Sequence, residues 1–211
     1  MRSALCEDSR VLAEESLATT AVKGVGLNSA MEFAEQRLGA LPVRQALAAL
    51  EAEHGDYSVH RLAGSMVPLE TARAAWMAVA ALHGGRPRER RVFFQEMGVH
   101  IAESNLNGIY KTLLSLLGSP ERLAKRVPSL WHTYFRGLSV SVEYDPRIAG
   151  RVDFEVVGFD GSPHIGEMAE GWCRYAFELV GGREVVAFEH SLDAGAASPG
   201  PIMNFTVHWA T

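Results

Sequence analysis

Apolar positions recur every three or four residues through the first part of this chain and every second residue near its end, a change of period that marks helices followed by strands. Asn28 or Ser29 is a suitable N-cap for a helix carrying Met31, Phe33, Ala34 and Leu38, which stops at Gly39. Pro42 sits in the first turn of a second helix, with Val43, Ala46, Leu47 and Leu50 on one face and Glu51 and Glu53 outside. A polar connection from Asp56 to Met66 leads to Pro68, which opens a third helix ending at His83-Gly84-Gly85. From Arg88, apolar residues from Val92 to Leu117 predict one long helix, or two joined near Asn105 to Gly108. Ser119-Pro120-Glu121 then reads as N-cap, first-turn proline and early acid of a short helix, and Pro128 restarts the chain for Leu130 to Phe135.

After Gly137 the period becomes two. Leu138, Val140, Val142 and Tyr144 alternate with polar residues, Pro146 to Gly150 turn, and Val152, Phe154 and Val156 alternate again, predicting a hairpin. An amphipathic helix from about Pro163 to Val180 stops at Gly181-Gly182, and two further strands follow, Val185 to Phe188 and Met203 to Trp209. Met203, Phe205, Val207 and Trp209 share one face of the last strand, so that face is expected in the core. The pattern predicts an α+β fold in which a helical layer (28–136) packs on an antiparallel sheet of about four strands in ββαββ order (137–211). Residues 1–22 read as a poorly defined segment and 23–211 as a single domain, a length ample for one core.

A formal net charge of −5 without a clustered basic face excludes a nucleic-acid footprint; the densest run, Arg86 to Arg91, reads as a solvated helix start. Cys6 and Cys173 are too few for a disulfide framework and lack the spacing of a zinc site, so no metal is expected. The N-terminus carries Glu7, Asp8, Glu14 and Glu15 rather than a signal-peptide core, and no apolar run reaches spanning length, so the expected location is the cytoplasm.

Candidate chemistry is sparse. Gly24-Val25-Gly26 has half of a dinucleotide fingerprint and reads instead as a helix entry. His100 and His132 lie on predicted helices, but their spacing from Glu96, Glu103 and Glu167 builds no acid-base pair, and no nucleophile elbow or Ser-His-Asp order is present. No catalytic residue is assigned, and the chain is expected to be non-catalytic. Phe94, Met97, Tyr110, Trp131, Tyr134, Phe135, Trp172 and Phe177 are each ordinary core residues taken singly; as a set flanking helices and sheet they are candidates for the wall of an apolar pocket. Trp131, Tyr134 and Trp172 are the strongest candidates, with His100 as the polar anchor.

The order of the Gly39 break, Gly118-Ser119-Pro120-Glu121, Leu130-Trp131 with Tyr134-Phe135, Gly171-Trp172 and Gly181-Gly182 resembles one superfamily. It holds the 4-vinyl reductase-like ligand domains, the haem nitric-oxide-binding domains and the small subunits of TRAPP tethering complexes, and from about Lys23 onward the chain is most similar to a family of myxobacterial paralogues. The resemblance implies a helical layer on an antiparallel sheet with an apolar cavity that holds phenols, haem or an acyl chain, or is filled by side chains. It also implies what is missing. Where 4-vinyl reductase-like domains carry zinc-binding cysteines this chain has residues such as Glu167, Met168, Ser191 and Asn204, and the haem branch's axial His gives way to Leu113 to Leu117, without a Tyr-x-Ser-x-Arg stretch. The expected function is binding or sensing of a small apolar or aromatic molecule without haem or any other cofactor. The alternative is a protein-interaction module, as a homodimer or with a partner protein; a haem gas sensor and an enzyme fit less well.

Overall fold

Helix α1 (Gly24–Leu38) begins ahead of the Asn28 and Ser29 caps that local chemistry favours, because its first free amides find acceptors elsewhere. In the computed structural model, which describes residues 20–54, 62–106, 118–145, 147–158, 163–181, 185–193 and 202–210, Gly24 N donates to Ser65 O at 2.7 Å and Val25 N to Ala63 O at 3.0 Å. A turn distant in sequence therefore does the capping, and Ser29 is buried inside the helix. Helix α2 (Ala40–His54) and helix α3 (Leu69–His83) follow, α3 closing on Gly84 in the left-handed conformation. Met66 to Pro68, expected to end the polar connection and open the third helix, instead form a strand: β1 (Ala21–Lys23) pairs antiparallel with β2 (Met66–Pro68) on one side and with β3 (Phe135–Arg136) on the other. This small sheet ties together the start of α1, the start of α3 and the end of α6.

Helix α4 (Pro87–Leu106) starts with Glu89 accepting from Arg86 N at 2.7 Å, the acidic half of a capping box. The expected continuation through Tyr110 and Leu113 to Leu117 lies outside the described residues, as do residues 1–19. Short helix α5 (Pro120–Ala124) is capped as expected, Ser119 Oγ accepting from Arg122 N at 3.3 Å, and α6 (Val127–Tyr134) runs into β3.

The second sheet has the expected ββαββ order: β4 (Ser139–Glu143), β5 (Arg151–Val157), α7 (Pro163–Gly181), β6 (Val185–Asp193) and β7 (Ile202–Trp209). The strand order is β4-β5-β7-β6, all antiparallel, so the last strand is an interior one. Along β7, Met203, Phe205, Val207 and Trp209 are buried and face Val156, Phe154 and Val152 of β5, so the period of two separates core from surface as anticipated. Phe177 of α7 packs on that face, its ring 5.5 Å from Trp209 and 6.4 Å from Phe154.

The most extensive helix–helix contact is α4 on α7, and it is made backbone to backbone. A Cβ at Gly98 would run into the carbonyl of Met168, and one at Gly171 into the carbonyl of Gln95. Only glycine permits so close an approach.

Trp209→Ala should lose about 3–5 kcal/mol of stability in urea denaturation, the usual cost of emptying a buried Trp site; a wild-type midpoint would contradict the interior position of β7. Gly171→Ala adds one methyl group yet should cost about 3 kcal/mol by the same assay, at the upper end of overpacking effects because the obstacle is backbone. An unchanged midpoint would mean that α4 and α7 separate freely.

Candidate functional site: an apolar cavity beside α7

A cavity of about 100 Å³ lies where α6 and the three-stranded sheet meet α7. Helix α7 supplies Ile165, Met168, Ala169, Trp172 and Cys173; α6 supplies Val127, Leu130, Trp131 and Tyr134, continued by Phe135 of β3. Val22, Gly26, Trp76 and Ile101 complete the wall from β1, α1, α3 and α4. Periodicity explains the α7 set: positions 165, 168, 169, 172 and 173 are one stripe of a helix. The α6 set has the same spacing, at 127, 130, 131 and 134. Helix α7 is presented to the cavity at this depth because the Gly98 and Gly171 contacts hold it against α4.

No Lys, Arg, His, Asp or Glu lines the cavity among the described residues. The thiol of Cys173 is pushed up to about 12, first by its burial and then by the neighbouring Glu170 carboxylate, so it stays protonated at neutral pH. Glu170 itself is buried behind the wall, with Arg91 at 3.2 Å and Arg174 at 3.6 Å. Two polar atoms of the lining side chains stand out: the indole N–H groups of Trp76 and Trp131 are buried with no acceptor. Each unmade bond of this kind costs roughly 1–3 kcal/mol.

Of the nine residues singled out in the sequence, Trp131, Tyr134, Phe135 and Trp172 meet at this cavity. His100, Phe94, Met97 and Phe177 do not. His100, the expected polar anchor, points its ring at Phe33 (5.6 Å) and leaves Nε2 buried and unpartnered away from the cavity. Phe94 is fully buried and stacks on His164 at 4.1 Å, Met97 is fully buried, and Phe177 belongs to the contact between α7 and the sheet. Tyr110 lies outside the described residues. Sequence reasoning missed Val22, Gly26, Trp76, Ile165, Met168 and Cys173. The α7 members follow from the stripe that contains Trp172, whereas Val22 and Gly26 reach the cavity only because β1 pairs with β2 and β3, strands too short for a periodic signal.

Haem, which one branch of the resembling superfamily carries, does not fit these residues. Among the described residues the wall offers no imidazole and no cation for propionates, and its one thiol is held protonated. The volume is also below the roughly 300–1,000 Å³ of drug-sized ligand sites.

Gly26 offers a direct probe, because a Cβ built there meets nothing within 4 Å. Gly26→Ala should stabilise the protein by about 0.5–1 kcal/mol through helix propensity alone. Gly26→Leu should stay folded with its side chain in the cavity, and a strongly lowered melting temperature for it would show that the space is not there.

No family model matches the sequence, and no curated protein matches it. Solved structures do. An Fe(II) unliganded H-NOX protein from K. algicida superposes with a TM-score of 0.63 at 12% identity, covering 90% of this chain and 97% of that one. An H-NOX protein from S. oneidensis in the Fe(II)NO ligation state gives 0.61 at 11% identity, covering 90% and 99%. An oxygen-binding H-NOX domain related to soluble guanylate cyclases, in its oxygen complex, gives 0.59 at 9% identity, covering 90% and 95%. At such identities the likeness is one of backbone, and the chain has the H-NOX fold.

Proposed function

We propose that this chain is a haem-free sensory domain that binds one small, uncharged apolar molecule in the cavity beside α7. The observation that carries the reading is a cavity of about 100 Å³ walled almost wholly by apolar side chains from five helices and two strands, with no charged group among the described residues. The H-NOX fold supports a sensory role, since neighbours of this fold bind oxygen or nitric oxide. The wall argues against haem as the means. A ligand there touches α1, α3, α4, α6 and α7 together, so occupancy couples elements far apart in the sequence, and it stabilises the fold by about 2.7 kcal/mol at a hundred times its dissociation constant. No helix among the described residues is long and apolar enough to cross a membrane.

Native mass spectrometry of protein purified from its own host should show a retained small molecule, and a panel of small phenols, ketones and hydrocarbons should raise the melting temperature. Bare protein with no shift across the panel overturns the reading. Haem added to the protein should give no Soret band of a ligated iron; a stoichiometric one would contradict the haem-free assignment.

A second reading, a protein-interaction module, draws on a different surface. A shallow groove between α2 and α3 is lined by Ala46, Ala49, Leu50, Ala78, Ala81 and Leu82, and Leu41 and Met77 nearby are exposed. Light scattering separates the two: a dimer dissociated by Ala78→Glu supports this reading, and a monomer argues against self-association through the groove.

A further inference from the structure

The walls of the cavity differ in how firmly they are held. Helix α7 is locked on α4 by the Gly98 and Gly171 contacts, and α1 and α3 each bury seven residues, Trp76 among them. Helix α6 buries one of its eight, Val127. Ser129, His132 and Thr133 are exposed, and Leu130, Trp131 and Tyr134, which line the cavity, are only partly buried. Helix α6 is therefore the thin wall between the cavity and solvent.

What holds α6 down is correspondingly slight. Its main contacts are with β1, β3 and β4; β3 has two residues, and β4 is an edge strand with no buried side chain. Thr133 Oγ1 donates to Ser129 O within the helix at 3.0 Å, and the indole N–H of Trp131 has no acceptor, so neither ties α6 to the rest. The Trp131 ring stacks on Phe135, 4.6 Å away and only four residues on, so this contact too is local. Lifting α6 brings Trp131 to water, which serves its N–H and offsets part of the lost burial. Isolated helices shorter than about 12–15 residues are marginal in water, so α6 unwinds once it leaves the cavity rather than swinging as a rigid rod.

We propose that α6 is the lid of the cavity: it opens by local unwinding between α5 and β3, with α3 and α7 in place, and this opening admits and releases the occupant. Few buried contacts and exposed backbone make it the lowest-cost opening of the wall. The admission of a ligand rests on the ligand-binding reading above; the opening itself does not.

Cys173 reports on the opening, because it lines the cavity from α7 and is the sole cysteine among the described residues. Burial, the first cause of its thiol being pushed up to about 12, keeps it unreactive while the lid is shut. In Cys6→Ser protein, which lacks the other thiol of the chain, iodoacetamide should alkylate Cys173 in native buffer faster than the global unfolding measured in urea allows. His132 is exposed on α6, so His132→Gly and His132→Ala in that background differ chiefly in helix propensity. Alkylation should be about fivefold faster in the Gly variant. Ala48→Gly makes the same change at an exposed site of α2, outside the cavity wall, and should leave the rate as it is. Equal rates in the two His132 variants, alkylation no faster than global unfolding, or an equal gain in Ala48→Gly overturns the lid. Cyclopentane, the probe of binding, should slow alkylation in proportion to its occupancy and should itself bind about fivefold faster to His132→Gly than to His132→Ala. Cyclopentane that binds both variants at one rate enters past another wall and overturns α6 as the entrance. A fivefold ratio in alkylation with no binding of cyclopentane leaves the lid standing and counts against the ligand-binding reading alone.

Discussion

The backbone contact between α4 and α7 is the constraint on which the rest of this molecule depends. Gly98 and Gly171 each lie against the other helix's main chain, at Met168 and Gln95 respectively, so at these two points the backbones approach with no side chain between them. Helix α7 is thereby fixed between two partners. One face presses on α4, while Phe177 reaches the sheet at Phe154 and Trp209. Helix α7 and, at β4, helix α6 join the helical part to the sheet, and the tight approach on α4 sets the depth of what is stacked beside α7.

The cavity follows from that geometry. With α7 held in, its stripe of Ile165, Met168, Ala169, Trp172 and Cys173 faces α6, and the small three-stranded sheet holds α6 and the start of α1 at the other wall. Gly26 leaves space where a side chain would have filled it. The resulting chemistry is one-sided: buried donors without acceptors, a protonated thiol, and charges such as Glu170 kept behind the wall and paired with arginines. The wall contains no nucleophile and base arranged for a reaction among the described residues.

Much of this was legible in the sequence where the signal is local. The period of two in Met203 to Trp209 gives the buried face of β7, Ser119-Pro120 gives a cap, and the Gly-Gly stop bounds α7. The α+β class and ββαββ order follow from the same periodicities. Non-local features were not legible. The start of α1 is set by carbonyls of Ala63 and Ser65, and strands of two or three residues carry no periodicity. Trp131, Tyr134 and Trp172 could be singled out because large aromatics on facing helices converge, but nothing local distinguishes them from Phe94 or Phe177, which have the same composition and pack elsewhere. Gly171 was visible only as a motif beside Trp172; that it is there to let a carbonyl approach is a property of the fold.

A crystal structure of the protein under xenon pressure tests the central claim most directly, because xenon enters apolar cavities of this size without needing a hydrogen bond. The account predicts a xenon atom, or a displaced native molecule, between Trp76, Trp131 and Trp172. Density showing these side chains packed against one another, with no xenon and no room for one, would contradict it.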